Sequence, residues 1–196
     1  MKKLFSLSIL ALILFSGCGE KFDLSVFDGG KTGGNVSGDT VYIKLTPDWS
    51  GFSSPTDIII GKDYFIYVTD TGSDRIVMLN QNGDQLASKT LPKPLKVEQD
   101  YQLNLIVIGK FDTVLNGVPR TMDAVYKIDM VAGGHNLATA PVVRLLPKPG
   151  LGISDLDLRL SYTGISVFYN NSFYISRTGP NNTSVVNPDN SILSFQ

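Results

Sequence analysis

The stretch Pro55-Thr56-Asp57-Ile58-Ile59-Ile60-Gly61-Lys62-Asp63-Tyr64-Phe65-Ile66-Tyr67-Val68-Thr69-Asp70-Thr71-Gly72-Ser73-Asp74-Arg75-Ile76 decides the fold of this chain. Asp57–Ile60, Phe65–Thr69 and Arg75–Leu79 are short runs rich in β-branched and aromatic residues. Clusters containing Gly and Asp separate them. Runs of this length, bounded in this way, predict strands joined by tight turns.

The same rhythm continues outward. Val41–Leu45, Leu86–Leu91, Leu103–Ile108, Ala124–Ile128, Val142–Leu146, Ile165–Tyr169, Ser172–Ser176 and Ser191–Phe195 are further strand-like runs. No stretch keeps a helical period with caps at both ends. The chain also repeats itself. Leu91-Pro92-Lys93-Pro94 recurs as Leu146-Pro147-Lys148-Pro149, each after a strand. Arg75–Asn80 aligns with Ala124–Asp129 and with Ser191–Gln196, and Ile66–Thr69 aligns with Phe173–Ser176. All-β patterning with a repeat of roughly one four-stranded unit predicts a β-propeller.

Residues 55–76 resemble an NHL repeat, whose pattern is a Pro-led inner strand followed by Tyr-Val-x-Asp-x-Gly-x-x-Arg-Ile; here Tyr67, Val68, Asp70, Gly72, Arg75 and Ile76 fill it. Gly164-Ile165-Ser166-Val167 with Ser172–Ser176 is a looser copy. The resemblance implies blades of a propeller that is six-bladed when complete. Blades of roughly 52–92, 93–147 and 148–196 fit, so the expectation is a partial, about three-blade propeller from a longer protein. Val41–Leu45 would be the outer strand of the blade that closes such a ring. The later copies lack the Asp…Arg pair, and the connections from 108 to 124 and from 176 to 191 are longer than in the family.

The amino terminus reads differently. Lys2 and Lys3 precede an apolar run, Leu4–Phe15, and Ser16-Gly17 leads to Cys18, the single cysteine. The run is too short to span a bilayer and stops at a cleavage-type site, so residues 1–17 read as an export signal. Residues 1–20 resemble the lipobox of bacterial lipoproteins, although Phe15 stands where that family usually has Leu. The resemblance implies cleavage before Cys18 and its lipidation, a palmitate-type anchor. Several acyl chains hold a protein stably at a membrane where one does not. Gly19, not Asp, follows the cysteine, which in a Gram-negative host implies the outer membrane. Residues 18–38, with Asp28-Gly29-Gly30-Lys31-Thr32-Gly33-Gly34-Asn35, read as a flexible tether. Residues 39–196 carry the blades.

Composition narrows the function. The formal charge is −1 and becomes more negative once Lys2 and Lys3 leave with the signal, so nothing points to nucleic acid. Without Cys18 no disulfide is available, and the fold rests on its hydrophobic core. The 19 glycines and 10 prolines fit a turn-rich chain. Gly30-Lys31-Thr32 resembles the end of a P-loop, but Ser25 stands where the first glycine is required and no helix follows.

Candidate chemistry is sparse. Asp70-Thr71-Gly72-Ser73 has the form of an aspartic protease turn, which needs two carboxylates sharing a proton, and this chain has one copy. The reading preferred is a structural turn: Asp70 accepts backbone N–H bonds and Arg75 braces it. His135 is the sole histidine, so a His triad or multi-His metal site cannot be assembled from it. Asp155 and Asp157 read as paired carboxylates on a solvated strand face without the rest of a calcium loop. Trp49 and the tyrosines read chiefly as core, with a glycan- or peptide-binding surface as the alternative.

The functional expectation is a lipid-anchored extracytoplasmic binding or scaffolding module. Its partners are the membrane, through the anchor, and a protein, peptide or glycan ligand; no catalytic residue, metal or cofactor is assigned. The rival is a propeller-type metal-dependent hydrolase or lyase whose site lies partly in further blades. Its ligands would start the inner strands, near Asp57, Lys96 and Gly164, which form a poor metal shell.

Overall fold

A computed structural model describes residues 43–196. Cys18, the signal and the tether therefore lie outside the described residues, as do Val41 and Tyr42. Ile43, Lys44 and Leu45 carry no strand, against the expectation for Val41–Leu45. Every described strand lies in the compact unit Trp49–Gln196.

That unit is all-β. Its first sheet is β1 (Pro55–Ile60), β2 (Ile66–Asp70), β3 (Arg75–Leu79) and β4 (Gln85–Thr90); its second is β5 (Lys96–Gln99), β6 (Leu105–Leu115), β7 (Val118–Ile128) and β8 (Val142–Leu146). The third holds β9 (Ser161–Val167), β10 (Phe173–Thr178) and β11 (Ser191–Phe195). Each sheet is an antiparallel meander in chain order. The first strands β1, β5 and β9 lie beside one another in succession, which is the arrangement of propeller blades. The Leu-Pro-Lys-Pro repeat falls in the connectors that leave β4 and β8.

Strand alternation explains the stacking. In the first sheet Tyr67, Ile76 and Met78 share a core with Leu105, Val107, Tyr126 and Ile128 of the second. The other register of the second sheet, Ile106, Ile108 and Val125, packs with Tyr162 and Ile175 of the third. The middle sheet is thus covered on both faces, and β6 begins with the unbroken apolar run Leu105–Ile108 for that reason. The two outer faces differ. On the first sheet Ile66, Val68, Val77 and Leu79 are roofed by Phe52, while Ile58 and Ile60 are exposed. On the third, Tyr174, Ser176, Ile192 and Ser194 stand at the positions filled in the first by Tyr67, Thr69, Ile76 and Met78.

The structure corrects several local expectations. The span from 108 to 124 is no loop: β6 and β7 continue as an eleven-residue hairpin closed by Asn116-Gly117. Both turn residues have positive φ, 51° and 76°, the geometry that favours Asn-Gly in a two-residue hairpin. Residues 179–190 do remain a loop. Asp155 and Asp157 lie in the turn region around the short 3-10 segment Asp157–Arg159, not on a strand face. β5 is a strand absent from the sequence-based set, because four residues with alternating polarity carry too little apolar signal. Leu103, Phe168 and Tyr169 belong to turns, not strands.

Candidate functional site

Asp57, Lys96 and Gly164 do occupy equivalent places. They pair across to Thr69, Ile108 and Ser176, which are themselves equivalent in β2, β6 and β10. Asp57 is fully engaged: its Oδ2 accepts the Val97 N–H at 3.0 Å and its Oδ1 faces Lys96 Nζ at 3.4 Å. This carboxylate ties the first sheet to the second. Asp123 does the same between the second and third, accepting the Tyr162 N–H at 3.1 Å. Among the described residues no group of three or more His, Cys, Asp or Glu is placed to hold a metal ion.

Asp70 is completely buried. Its Oδ1 accepts the N–H groups of Ser53 and Ser54 at 2.9 and 3.0 Å, and its Oδ2 accepts Arg75 Nε at 3.0 Å. Arg75 Nη2 donates onward to the Gly51 carbonyl at 2.7 Å. The donors thus come from the segment entering β1 as well as from β3. Burial pushes this carboxyl up, but the Ser54 N–H, the Ser73 hydroxyl, the Ser53 N–H and Arg75 together outweigh it and hold it at about 2. The cross-strand pair Asp70–Arg75 corresponds to Gly109–Ala124 in the second sheet and Arg177–Ser191 in the third. Gly109 is needed there because a Cβ would lie 2.9 Å from the Pro92 carbonyl oxygen.

The opposite end of the sheets carries a feature the sequence reading missed. The hairpins β1–β2, β5–β6 and β9–β10 close on the same five-residue turn: Gly61–Phe65, Asp100–Asn104 and Phe168–Ser172. In each, the first N–H donates to the fifth carbonyl and the fourth N–H to the first carbonyl. The fourth residue has positive φ: Tyr64 at 64°, Leu103 at 69° and Asn171 at 67°. An Asx side chain braces each turn, with Asp63 accepting Phe65 N–H, Asp100 accepting Gln102 N–H and Asn170 accepting Ser172 N–H. The repeat is invisible as letters because GKDYF, DYQLN and FYNNS share geometry, not identity.

These tips are joined to one another and built on buried polar groups. Lys62 Nζ sits 4.6 Å from the centre of the Tyr101 ring and also donates to the Gln99 carbonyl. Tyr101 N–H donates to Asn171 Oδ1 at 2.9 Å. Below them Asp63 Oδ2 accepts from Tyr67 Oη at 2.6 Å and Gln99 Nε2 at 2.9 Å, and burial followed by Asp63 pushes the Tyr67 hydroxyl pKa up. The outcome is three exposed rings, Tyr64 (72%), Tyr101 (55%) and Tyr169 (68%), one on each braced turn. Beside Tyr101 opens a cleft of about 590 Å³ that Lys127, Asp129 and His135 also line. His135 is exposed in the β7–β8 connection, at φ 59°. Trp49, at 43% exposure, lies against Gly83 rather than in the main core.

No family profile and no curated protein matches this chain. Among solved structures it is similar to virginiamycin B lyase from Staphylococcus aureus, at 14% identity and a TM-score of 0.30, over 83% of this chain and 61% of that one. The chain thus spans less than two thirds of that protein's length.

Proposed function

We propose that this protein is a lipid-anchored extracytoplasmic binding module of NHL-like propeller blades, and that the aromatic hairpin tips form its contact face. The observation that carries the reading is that each of three equivalent, braced turns exposes a tyrosine: Tyr64, Tyr101 and Tyr169. Tyrosines lose little side-chain entropy on binding and offer both a flat apolar ring and a hydroxyl, which suits a peptide or glycan chain laid across successive tips. Asp57, where the rival metal-enzyme reading needs a ligand, is engaged by Val97 and Lys96 instead.

The contact face is tested on peptide and glycan arrays with the full chain carrying Cys18→Ser. Replacing Tyr64, Tyr101 and Tyr169 together by serine is expected to remove at least about 2 kcal/mol of binding, the scale of aromatic hot spots. Ligands retained at full strength by the triple variant would place the face elsewhere.

The anchor is tested separately. In a bacterial host the wild-type chain is expected to incorporate a fatty-acid analogue and to fractionate with membranes, and Cys18→Ser to do neither. A wild-type chain that stays soluble and unlabelled contradicts the lipidation of Cys18.

A further inference from the structure

The cleft beside Tyr101 holds an ion pair that does not close. Lys127, on β7, and Asp129, just beyond that strand, line the cleft together. Lys127 Nζ lies 3.9 Å from Asp129 Oδ2, and the two side chains are 32% and 35% exposed. That separation is beyond hydrogen-bond reach, so a donor and an acceptor stand apart with a gap between them. Asp129 Oδ1 is fixed by the Ala132 N–H at 3.0 Å, and Oδ2 receives no hydrogen bond among the described residues. Lys62 and Glu98 also stand 3.9 Å apart, but Lys62 Nζ already donates to the Gln99 carbonyl.

The backbone around this cleft is already committed. The N–H groups of Gln102 and Asn104 go to Asp100 Oδ1, and that of Leu103 goes to the Asp100 carbonyl. Those of Asp129 and His135 go to the Pro141 and Met130 carbonyls. A peptide is captured largely through its main chain, and these groups have no donor left for one. Side-chain chemistry remains: the Lys127–Asp129 gap, the Tyr101 ring at 55% exposure, and the exposed Gln102 and His135. Lys62 covers one face of the Tyr101 ring but does not line the cleft, so its ammonium does not block it.

We propose that this cleft binds a neutral glycan, with one sugar hydroxyl bridging Lys127 Nζ and Asp129 Oδ2 and the C–H groups of the sugar against Tyr101. A hydroxyl both accepts and donates, so a single one accepts from the ammonium and donates to the carboxylate. A ligand carboxylate only accepts and meets Asp129 as a like charge; a ligand ammonium only donates and meets Lys127 as one. Lys127 and Asp129 are the one ammonium and the one carboxylate lining the cleft, and their charges cancel. The electron-rich face of a tyrosine ring attracts polarised C–H groups, which a sugar supplies without charge. The volume of about 590 Å³ falls in the range of small-molecule sites. The inference rests on the tyrosine tips as the contact face, chooses glycan over peptide, and makes Lys127 and Asp129 the residues that decide it.

The test follows the backbone amide resonances of Gln102, Leu103, Val131 and His135 in the ¹⁵N-labelled full chain carrying Cys18→Ser. The probes are the hexasaccharides of glucose, mannose, xylose and N-acetylglucosamine, with hexagalacturonate and a Gly-Ser hexapeptide for comparison. At least one neutral hexasaccharide is expected to move these resonances saturably, more tightly than hexagalacturonate, with the peptide ineffective. Lys127→Met keeps the apolar stem and removes the ammonium; it is expected to weaken that hexasaccharide at least about fivefold, the worth of one hydrogen bond. No saturable shift from any neutral hexasaccharide, an equal or stronger response to hexagalacturonate or the peptide, or a Lys127→Met affinity within about fivefold of wild type each overturns the proposal. A response to the peptide alone overturns the glycan assignment and leaves the tyrosine tips as the contact face. Failure of that face shows differently, as array ligands kept at full strength when Tyr64, Tyr101 and Tyr169 are replaced.

Discussion

Leu105→Ala and Ile108→Ala are each expected to lower the unfolding free energy by about 2–5 kcal/mol. Both side chains are wholly buried and belong to the same strand, yet they serve different cores. Leu105 packs towards the first sheet with Tyr67 and Ile76, and Ile108 towards the third with Ile175. Truncating either leaves a cavity at an inter-sheet contact that the backbone of a hydrogen-bonded sheet cannot close. Domains of this size have about 5–15 kcal/mol in total, so the double variant is expected not to fold. Ile60→Ala and Ile192→Ala are the controls, at 75% and 66% exposure, and are expected to change stability by under about 0.5 kcal/mol. Urea unfolding followed by circular dichroism measures all four. Equal losses for the exposed and buried positions would contradict the stacking of the sheets.

The second large effect concerns Asp70. Asp70→Asn keeps an oxygen for the Ser53 and Ser54 N–H groups but turns an amide, or loses a charge, against Arg75. The expected loss is about 1–3 kcal/mol, the range for leaving a charged hydrogen-bond partner unsatisfied. A pH signature separates this from generic damage. The folded-state pKa is depressed to about 2, below the ordinary value, so the carboxylate stabilises the fold above about pH 4. That contribution is lost as pH falls through about 2. The difference in stability between wild type and Asp70→Asn is therefore expected to shrink steadily from pH 5 to pH 2. A difference that stays constant over that window would mean that the charge of Asp70 contributes nothing.

How far these features were legible in the sequence depends on where the signal is stored. Five-residue runs rich in apolar residues mark the centres of strands, so β3, β8 and β11 have the bounds expected from the letters alone. The Asn116-Gly117 dipeptide was a hairpin signal that polar flanks hid: Asp112, Arg120 and Thr121 face solvent at the far end of β6 and β7, and with Thr113 they break the hydrophobic pattern. The tip turns were illegible for another reason. Positive φ at Tyr64, Leu103 and Asn171 is imposed by the hairpin and its Asx brace, and Tyr or Leu gives no warning of it. Arg177 was within reach, since continuing the alignment of Ile66–Thr69 with Phe173–Ser176 by one residue sets Arg177 opposite Asp70. Its burial, which makes that reversal matter, needed the third dimension.

The stacking of three meander sheets in chain order covers the middle one on both faces. Methyl-labelled NMR of the full chain tests it most directly, because neighbouring residues of β6 must report different partners. Leu105 and Val107 are expected to show nuclear Overhauser contacts to Ile76 and Met78, and Ile106 and Ile108 to Ile175 and Leu193. Contacts from Ile76 to Ile175, bringing the first and third sheets face to face as in a sandwich, would contradict it.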